Sequence, residues 1–165
     1  MRKILLLSFL IGLFILHYPC EALALEDEVH IEINKTSNQL TVFLNDAPVY
    51  TFPVATGKTP ELTPEGEFTV ITRVKNPWYL PKNIAGGSPD NPLGNRWIGL
   101  DVPETRGYKY GIHGTNNPHS IGYRVSQGCI RMRNRDVEWL YRHIPLGTKV
   151  IIRHDNSAAE ENPSP

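Results

Sequence analysis

The sequence predicts a mostly β fold carrying one helix on its side, and three observations support that reading. Between His30 and Thr72, apolar residues recur at every second position, enriched in β-branched and aromatic side chains. One segment, Asn134 to Ile144, instead repeats apolar residues at i, i+3, i+4 and i+7. Turn formers interrupt the chain at short intervals between these runs.

The elements follow in order. His30-Ile31-Glu32-Ile33-Asn34 alternates polar with apolar, and Lys35 to Gln39 breaks it with turn formers. Leu40, Val42 and Leu44 alternate again, and Asn45-Asp46 turns the chain into a run in which Tyr50, Phe52 and Val54 share a face. After the turn Thr63-Pro64-Glu65-Gly66, a strand from Glu67 to Thr72 points Phe68 and Val70 inward. Lys75 to Asn95 changes character: Pro77, Pro81, Pro89, Pro92, Gly86, Gly87 and Gly94 make regular structure hard to sustain. A loop of that length in a compact domain is functional or disordered, and Trp78 and Tyr79 favour an ordered flap beside a binding cleft.

Regular structure resumes in two strands, Arg96 to Asp101 and Tyr110 to His113. The helix follows, with Asn134 as N-cap, Asp136 and Glu138 near its positive end, and Val137, Leu140, Tyr141 and Ile144 on one face. Pro145 and Gly147 stop it, and Thr148 to Arg153 reads as a last strand. Residues 154–165 are polar and proline-tipped, the pattern of a flexible tail.

The N-terminus bears on compartment. Arg2 and Lys3 precede an apolar run from Ile4 to Leu16, shorter than the roughly 20 residues of a membrane span. Ala22-Leu23-Ala24 then supplies the small-x-small pattern of a cleavage site, so residues 1–24 read as a signal peptide. A lipid-attachment site at Cys20 is the competing reading, but His17, Tyr18 and Pro19 stand where small residues are needed. An uncleaved anchor is the remaining alternative. The expectation is an exported protein, secreted or wall-associated, with no stable membrane span once the signal is cleaved. Losing Arg2, Lys3 and Glu21 tips 17 basic and 17 acidic residues to a slight acidic excess, which argues against a nucleic-acid partner.

Of two cysteines, cleavage leaves Cys129 alone. A lone cysteine in an exported chain has no internal disulfide partner, so it is a reactive thiol, an intermolecular partner or a small buried hydrophobe. Its surroundings suit a nucleophile, which needs a base, backbone N–H groups aimed at an oxyanion and a neighbourhood favouring thiolate. Gly128 lets a substrate carbonyl approach the backbone, and Arg131 places a fixed positive charge two positions beyond the thiol. His113, flanked by Gly111 and Gly114, closes a strand from which an imidazole can project. Plainer readings stand beside these: a core histidine, an inert buried cysteine, and an Arg131 paired with Asp136 or Glu138. A metal centre on His113, His119, His143 and Cys129 matches no common zinc spacing, so no metal is expected.

The motifs His113-Gly114-Thr115 and Ser126-Gln127-Gly128-Cys129-Ile130-Arg131 resemble the active-site signature of the YkuD family of L,D-transpeptidases. Two further stretches resemble the family: Thr63-Pro64-Glu65-Gly66-Glu67-Phe68 and Asn91-Pro92-Leu93-Gly94-Asn95-Arg96-Trp97. The likeness runs over residues 29–153. It implies a β-sandwich-like catalytic fold with a flanking α-helix, Cys129 as nucleophile and His113 as base. Arg131, Gly114, Ser126, Gln127 and Gly128 would contact substrate, with the Gly128 and Cys129 amides binding the oxyanion. Gln127 stands where many members carry a second histidine; it can donate a hydrogen bond but does not titrate.

The implied activity is peptidoglycan cross-linking. Acyl transfer from a tetrapeptide stem releases D-alanine and forms a 3→3 link, with no cofactor, metal or nucleotide. Carbapenem-type inhibitors would acylate the same sulfur. The alternatives are an L,D-carboxypeptidase, in which water resolves the same thioester, and a non-catalytic wall-binding module.

Overall fold

Alternation and turn spacing translate into ten strands and one α-helix in the computed structural model, which describes residues 28–155. The expected signal peptide 1–24, Cys20 within it, and the tail beyond Asp155 lie outside the described residues. The strands are β1 (Val29–Asn34), β2 (Gln39–Leu44), β3 (Ala47–Pro53), β4 (Thr56–Gly57), β5 (Gly66–Lys75), β6 (Arg96–Leu100), β7 (Gly111–His113), β8 (Arg124–Ser126), β9 (Ile130–Arg131) and β10 (Lys149–Arg153). The helix, α1, spans Asn134–His143.

Eight strands form one sheet in the order β3-β2-β1-β10-β5-β6-β7-β9, and β4 pairs with β8 in a small second sheet. In the large sheet pairing is antiparallel except for β1 with β10 and β7 with β9, which run parallel, as do β4 and β8 in the small one. The sandwich-like expectation resolves into a single sheet curled until its edges meet. Just past β3, Ala55 exchanges two 2.9 Å backbone hydrogen bonds with Arg131 of β9, the opposite edge strand. Joining the edges this way leaves fewer unpaired strand groups exposed.

The concave face holds the core. Ile31, Ile33, Leu40, Val70, Ile98, Leu100, Ile112, Ile130, Val150 and Ile152 are essentially inaccessible there. Each such side chain contributes roughly 1.5–3 kcal/mol of burial. Helix α1 adds Val137, Leu140 and Ile144, packs against β6 and β7, and keeps Tyr141 half-buried at its margin.

One local expectation is corrected. Asn134 is the first helical residue, with Arg133 at the N-cap, and its side-chain oxygen accepts the Thr115 N–H at 3.1 Å. Lys35 to Asn38 form the expected turn, and Lys35 and Asn38 are buried in it because distant backbone carbonyls satisfy their side chains. Tyr50 and Phe52 share a face as expected, but of Tyr50, Phe52 and Val54 only Val54 enters the core. Tyr50 and Phe52 pack instead on Trp139, at centroid distances of 4.2 and 5.4 Å. At the other end, His154 and Asp155 are held at the surface, His154 Nδ1 lying 2.6 Å from Glu65 Oε1.

Candidate active site

The pairing of β7 with β9 brings the signature residues together. Ile112 lies opposite Ile130 and His113 opposite Arg131, and the two isoleucines point into the core. Alternation along a strand therefore turns His113, and Arg131 with the adjoining Cys129, toward the other face. There Cys129 lines a cavity of about 370 Å³ whose walls include Trp78, Tyr79, Leu80, Trp97 and Tyr108. Three of these, Trp78, Tyr79 and Leu80, come from the 75–95 segment, which is ordered by a 3-10 turn at Leu80–Lys82 and an antiparallel bridge between Tyr79 and Ile84. The flap beside a cleft is thus present.

His113 is 4% exposed. Its Nδ1 lies 2.6 Å from the Gly114 carbonyl, which only accepts, so Nδ1 carries the proton and the neutral ring keeps its lone pair on Nε2. The Trp97 ring stacks on it, and Trp97 Nε1 in turn donates to the Gly107 carbonyl at 2.8 Å. Burial lowers the His113 pKa to about 4, reinforced by the Arg131 charge and opposed by the Gly114 and Leu93 backbone.

Cys129 is the one free cysteine among the described residues. Its thiol donates to the Lys109 carbonyl at 3.2 Å rather than to His113, so no sulfur–imidazole hydrogen bond is formed in the resting site. Burial against the cavity walls pushes the thiol up to about 11, outweighing the Gly111 backbone contact and the Arg131 charge that favour thiolate. The expectation of thiolate-favouring surroundings is corrected to a neutral thiol beside a neutral imidazole. The half-buried Arg131 guanidinium meets no carboxylate among the described residues. Asp136 pairs with Arg133 and Arg135, and Glu138 with Arg96, so the ion-pair reading of Arg131 does not hold.

The other expected substrate contacts separate into two groups. Gln127 is exposed at the site. Ser126 is 1% exposed, and its hydroxyl donates to the Cys129 carbonyl at 2.6 Å while accepting the Gly128 N–H at 3.0 Å. Ser126 therefore shapes the loop that carries Cys129, and the Gly128 amide is already engaged. Gly114 is buried against Gly94 and Asn134, where an added Cβ would lie 2.1 Å from Asn134 Oδ1. Its contribution is the carbonyl that orients His113.

Two residues of the site went unassigned: Trp97, and Thr63, whose hydroxyl donates to the Gly128 carbonyl at 2.9 Å. Both lie in stretches that resemble the family, but nothing local marks either side chain. His119 is exposed in a 3-10 turn, and His143 closes α1 with Nδ1 2.8 Å from the Trp139 carbonyl.

A curled, mostly β sheet with one flanking helix, carrying a cysteine at a cavity and a buried histidine and an arginine on the paired strands next to it, is the class of protein that this fold and site define. The comparisons narrow the class. The family model for the L,D-transpeptidase catalytic domain matches residues 28–152, and the chain belongs to that family. A Bacillus subtilis protein named as an L,D-transpeptidase, YqjB, is 49% identical over 93% of this chain and 89% of its own length. A second from the same organism, YkuD, is 44% identical over 74% of this chain and 65% of its own. Among solved structures, an L,D-transpeptidase from Mycobacterium tuberculosis superposes with a TM-score of 0.61 at 19% identity, covering 77% of this chain and 58% of that one. Another, LdtMt1 in complex with imipenem, gives 0.60 at 20% identity over 77% and 59%. Apart from YqjB, the chain thus spans less than two thirds of these relatives' length. Both structures share the fold.

Proposed function

We propose that this chain is a peptidoglycan L,D-transpeptidase that forms 3→3 cross-links through a thioester on Cys129. The observation that carries the reading is that Cys129 lines the cavity while His113 and the unpaired Arg131 lie opposite each other on the paired strands next to it. Arg131 fits the terminal carboxylate of a tetrapeptide stem, a charge-assisted and geometrically specific contact. Seating the donor peptide draws the thiol off the Lys109 carbonyl toward His113 Nε2, which holds the free lone pair.

The sulfur then attacks the carbonyl carbon of the L-centre in the third stem residue, and its proton passes to Nε2. Negative charge collects on the carbonyl oxygen, where the Cys129 N–H is the available loop amide because Ser126 engages that of Gly128. The C–N bond to D-alanine breaks, the leaving nitrogen takes the proton back from the imidazolium, and a thioester remains. A side-chain amine of a neighbouring stem attacks that thioester and loses its proton to Nε2. The C–S bond breaks, sulfur recovers the proton, and the cross-link is complete. Depressed basicity at His113 suits the second half of each step, since a weakly held proton is readily returned. Carbapenem-type inhibitors would acylate the same sulfur, and export to the wall is part of the same reading.

Incubation with a soluble disaccharide-tetrapeptide, followed by mass spectrometry beside Cys129→Ala, tests it. The expected result is a transient adduct on the wild type, a cross-linked dimer lacking one D-alanine, and neither with the variant. Tripeptide alone would reassign the protein as an L,D-carboxypeptidase. Turnover by Cys129→Ala would refute the mechanism, and folded protein giving no adduct or product would favour the wall-binding module.

A further inference from the structure

Thr63 lies 65 residues from Gly128 in sequence, yet its hydroxyl donates to the Gly128 carbonyl at 2.9 Å and accepts the Gly57 N–H at 2.9 Å. The residue is 1% exposed, so water does not compete for either bond. Behind it the buried Lys35 ammonium donates to the Thr63 carbonyl at 2.8 Å and the Pro60 carbonyl at 2.6 Å, and pairs with Glu65 at 2.9 Å. Three donors meet three acceptors. Lys35 therefore has no N–H left over for chemistry, and its hydrogen bonds fix the segment that presents Thr63.

Peptide geometry carries this constraint to the nucleophile. The Gly128–Cys129 peptide is planar and trans, so its N–H points opposite to its carbonyl. Holding the Gly128 oxygen at Thr63 therefore sets the direction of the Cys129 N–H, away from Thr63. Among the described residues, no protein acceptor takes that N–H. The peptide on the other side of Gly128 is held separately, through its own N–H on Ser126 Oγ. Close contact enforces the arrangement, because a Cβ at Gly128 would lie 2.5 Å from the Leu62 carbonyl oxygen.

We propose that Thr63 is a positioning residue for oxyanion stabilisation: by holding the Gly128 carbonyl it aims the Cys129 N–H at the charge that develops on the substrate carbonyl. The proposal deepens the acyl-transfer reading above and rests on it, but its test needs no peptidoglycan.

Two small reagents separate this role from a merely structural one. p-Nitrophenyl acetate acylates a thiol through a tetrahedral oxyanion, whereas iodoacetamide alkylates by direct displacement without one. Thr63→Val should lower the acylation rate about tenfold or more and leave the alkylation rate unchanged, since a misaimed donor loses part of the roughly 10²–10³ that one oxyanion donor supplies. Thr63→Ser, which keeps the hydroxyl, should restore acylation. If the valine variant does not fold, Thr63→Ala serves in its place, with thermal unfolding recorded for both. Acylation of the variant at the wild-type rate would overturn the proposal. So would a parallel fall in both rates, or a wild type that iodoacetamide labels and the ester does not. A wild type acylated by the ester but inert toward the tetrapeptide would instead sink the substrate assignment, leaving the Thr63 comparison decisive on its own.

Discussion

Trp97 lies nearly flat against His113, with ring centroids 5.5 Å apart and 19° between the planes. The indole excludes water from one face of the imidazole, and burial is the chief cause of the depressed His113 pKa. Trp97→Ala should therefore raise that pKa from about 4 toward 6.5, and should cost roughly 3–5 kcal/mol of stability as a large buried ring is lost. Trp97→Phe keeps a stacking ring without the N–H to Gly107, and should leave the pKa low. An NMR titration of the His113 ring protons checks both. An unchanged titration in the alanine variant would show that the stack is not what dries the ring.

Thiol reactivity should follow the neutral resting pair. A thiolate–imidazolium pair would be alkylated at a plateau rate from neutral pH upward. Here the Cys129 thiol is pushed up to about 11 and His113 down to about 4, so both are uncharged between those values. The iodoacetamide rate on the free protein should keep climbing from pH 7 through pH 9 toward about 11. A flat profile above pH 7 would mean that the ion pair already exists.

Stability should depend on pH in the opposite sense at the two ends. His113 binds its proton at about 4 in the fold and near 6.5 when unfolded, so between those values the unfolded chain holds more protons. Stability is then complete above pH 6.5 and falls by on the order of 3 kcal/mol as pH drops through 4. Cys129 is raised above its unfolded value of 9.0, so its contribution is complete below pH 9 and lost as pH rises through about 11. Urea unfolding across pH 4 to 7 tests the acid limb. His113→Ala should flatten that limb, and should slow acylation by roughly 10²–10⁴ as a lost general base.

Arg131 offers a charge that no side chain in the described residues neutralises. Arg131→Ala should lower kcat/KM for the tetrapeptide by about 10- to 100-fold, the scale of one charge-assisted hydrogen bond. The same variant should respond far less to a tetrapeptide whose terminal carboxylate is amidated. Steady-state kinetics on the two substrates decide the matter. Equal losses on both would place Arg131's effect on the thiol and imidazole rather than on the substrate carboxylate.

What the sequence made legible follows from interaction range. Period-two alternation exposed Ile31, Ile33, Leu40 and Val42 as one buried face, and the helical repeat exposed Val137, Leu140 and Ile144, because both patterns are local. His113 and Cys129 were legible through residue chemistry and their flanking glycines. Closure of the sheet through Ala55 and Arg131 was not, since a two-residue bridge between distant strands leaves no periodic trace. The same holds for Lys35, a turn residue by composition that is buried because carbonyls 25 and 28 positions away accept its protons. Asn134 looks like an N-cap, but its side chain serves the loop after His113, a competition between two backbone donors that spacing does not resolve.

Gly128 offers the sharpest test of how closely the loop carrying Cys129 is built. Its φ of +130° lies in a region that side-chain-bearing residues rarely adopt. A methyl group there would also meet the Leu62 carbonyl at 2.5 Å and Tyr110 Cε1 at 2.9 Å. Backbone strain of this kind costs on the order of 1–3 kcal/mol, and the contact with a backbone oxygen has no flexible side chain to absorb it. Relief requires residues 127–129 to move, which breaks the Thr63 and Ser126 bonds on either side of Gly128. Gly128→Ala should therefore lose acylation by p-nitrophenyl acetate more completely than it loses stability, by comparison of rates with the unfolding midpoint. Gly122→Ala is the control: it also has positive φ, at +96°, but nothing lies within 4 Å of its added Cβ. It should lose some stability to strain alone and retain acylation.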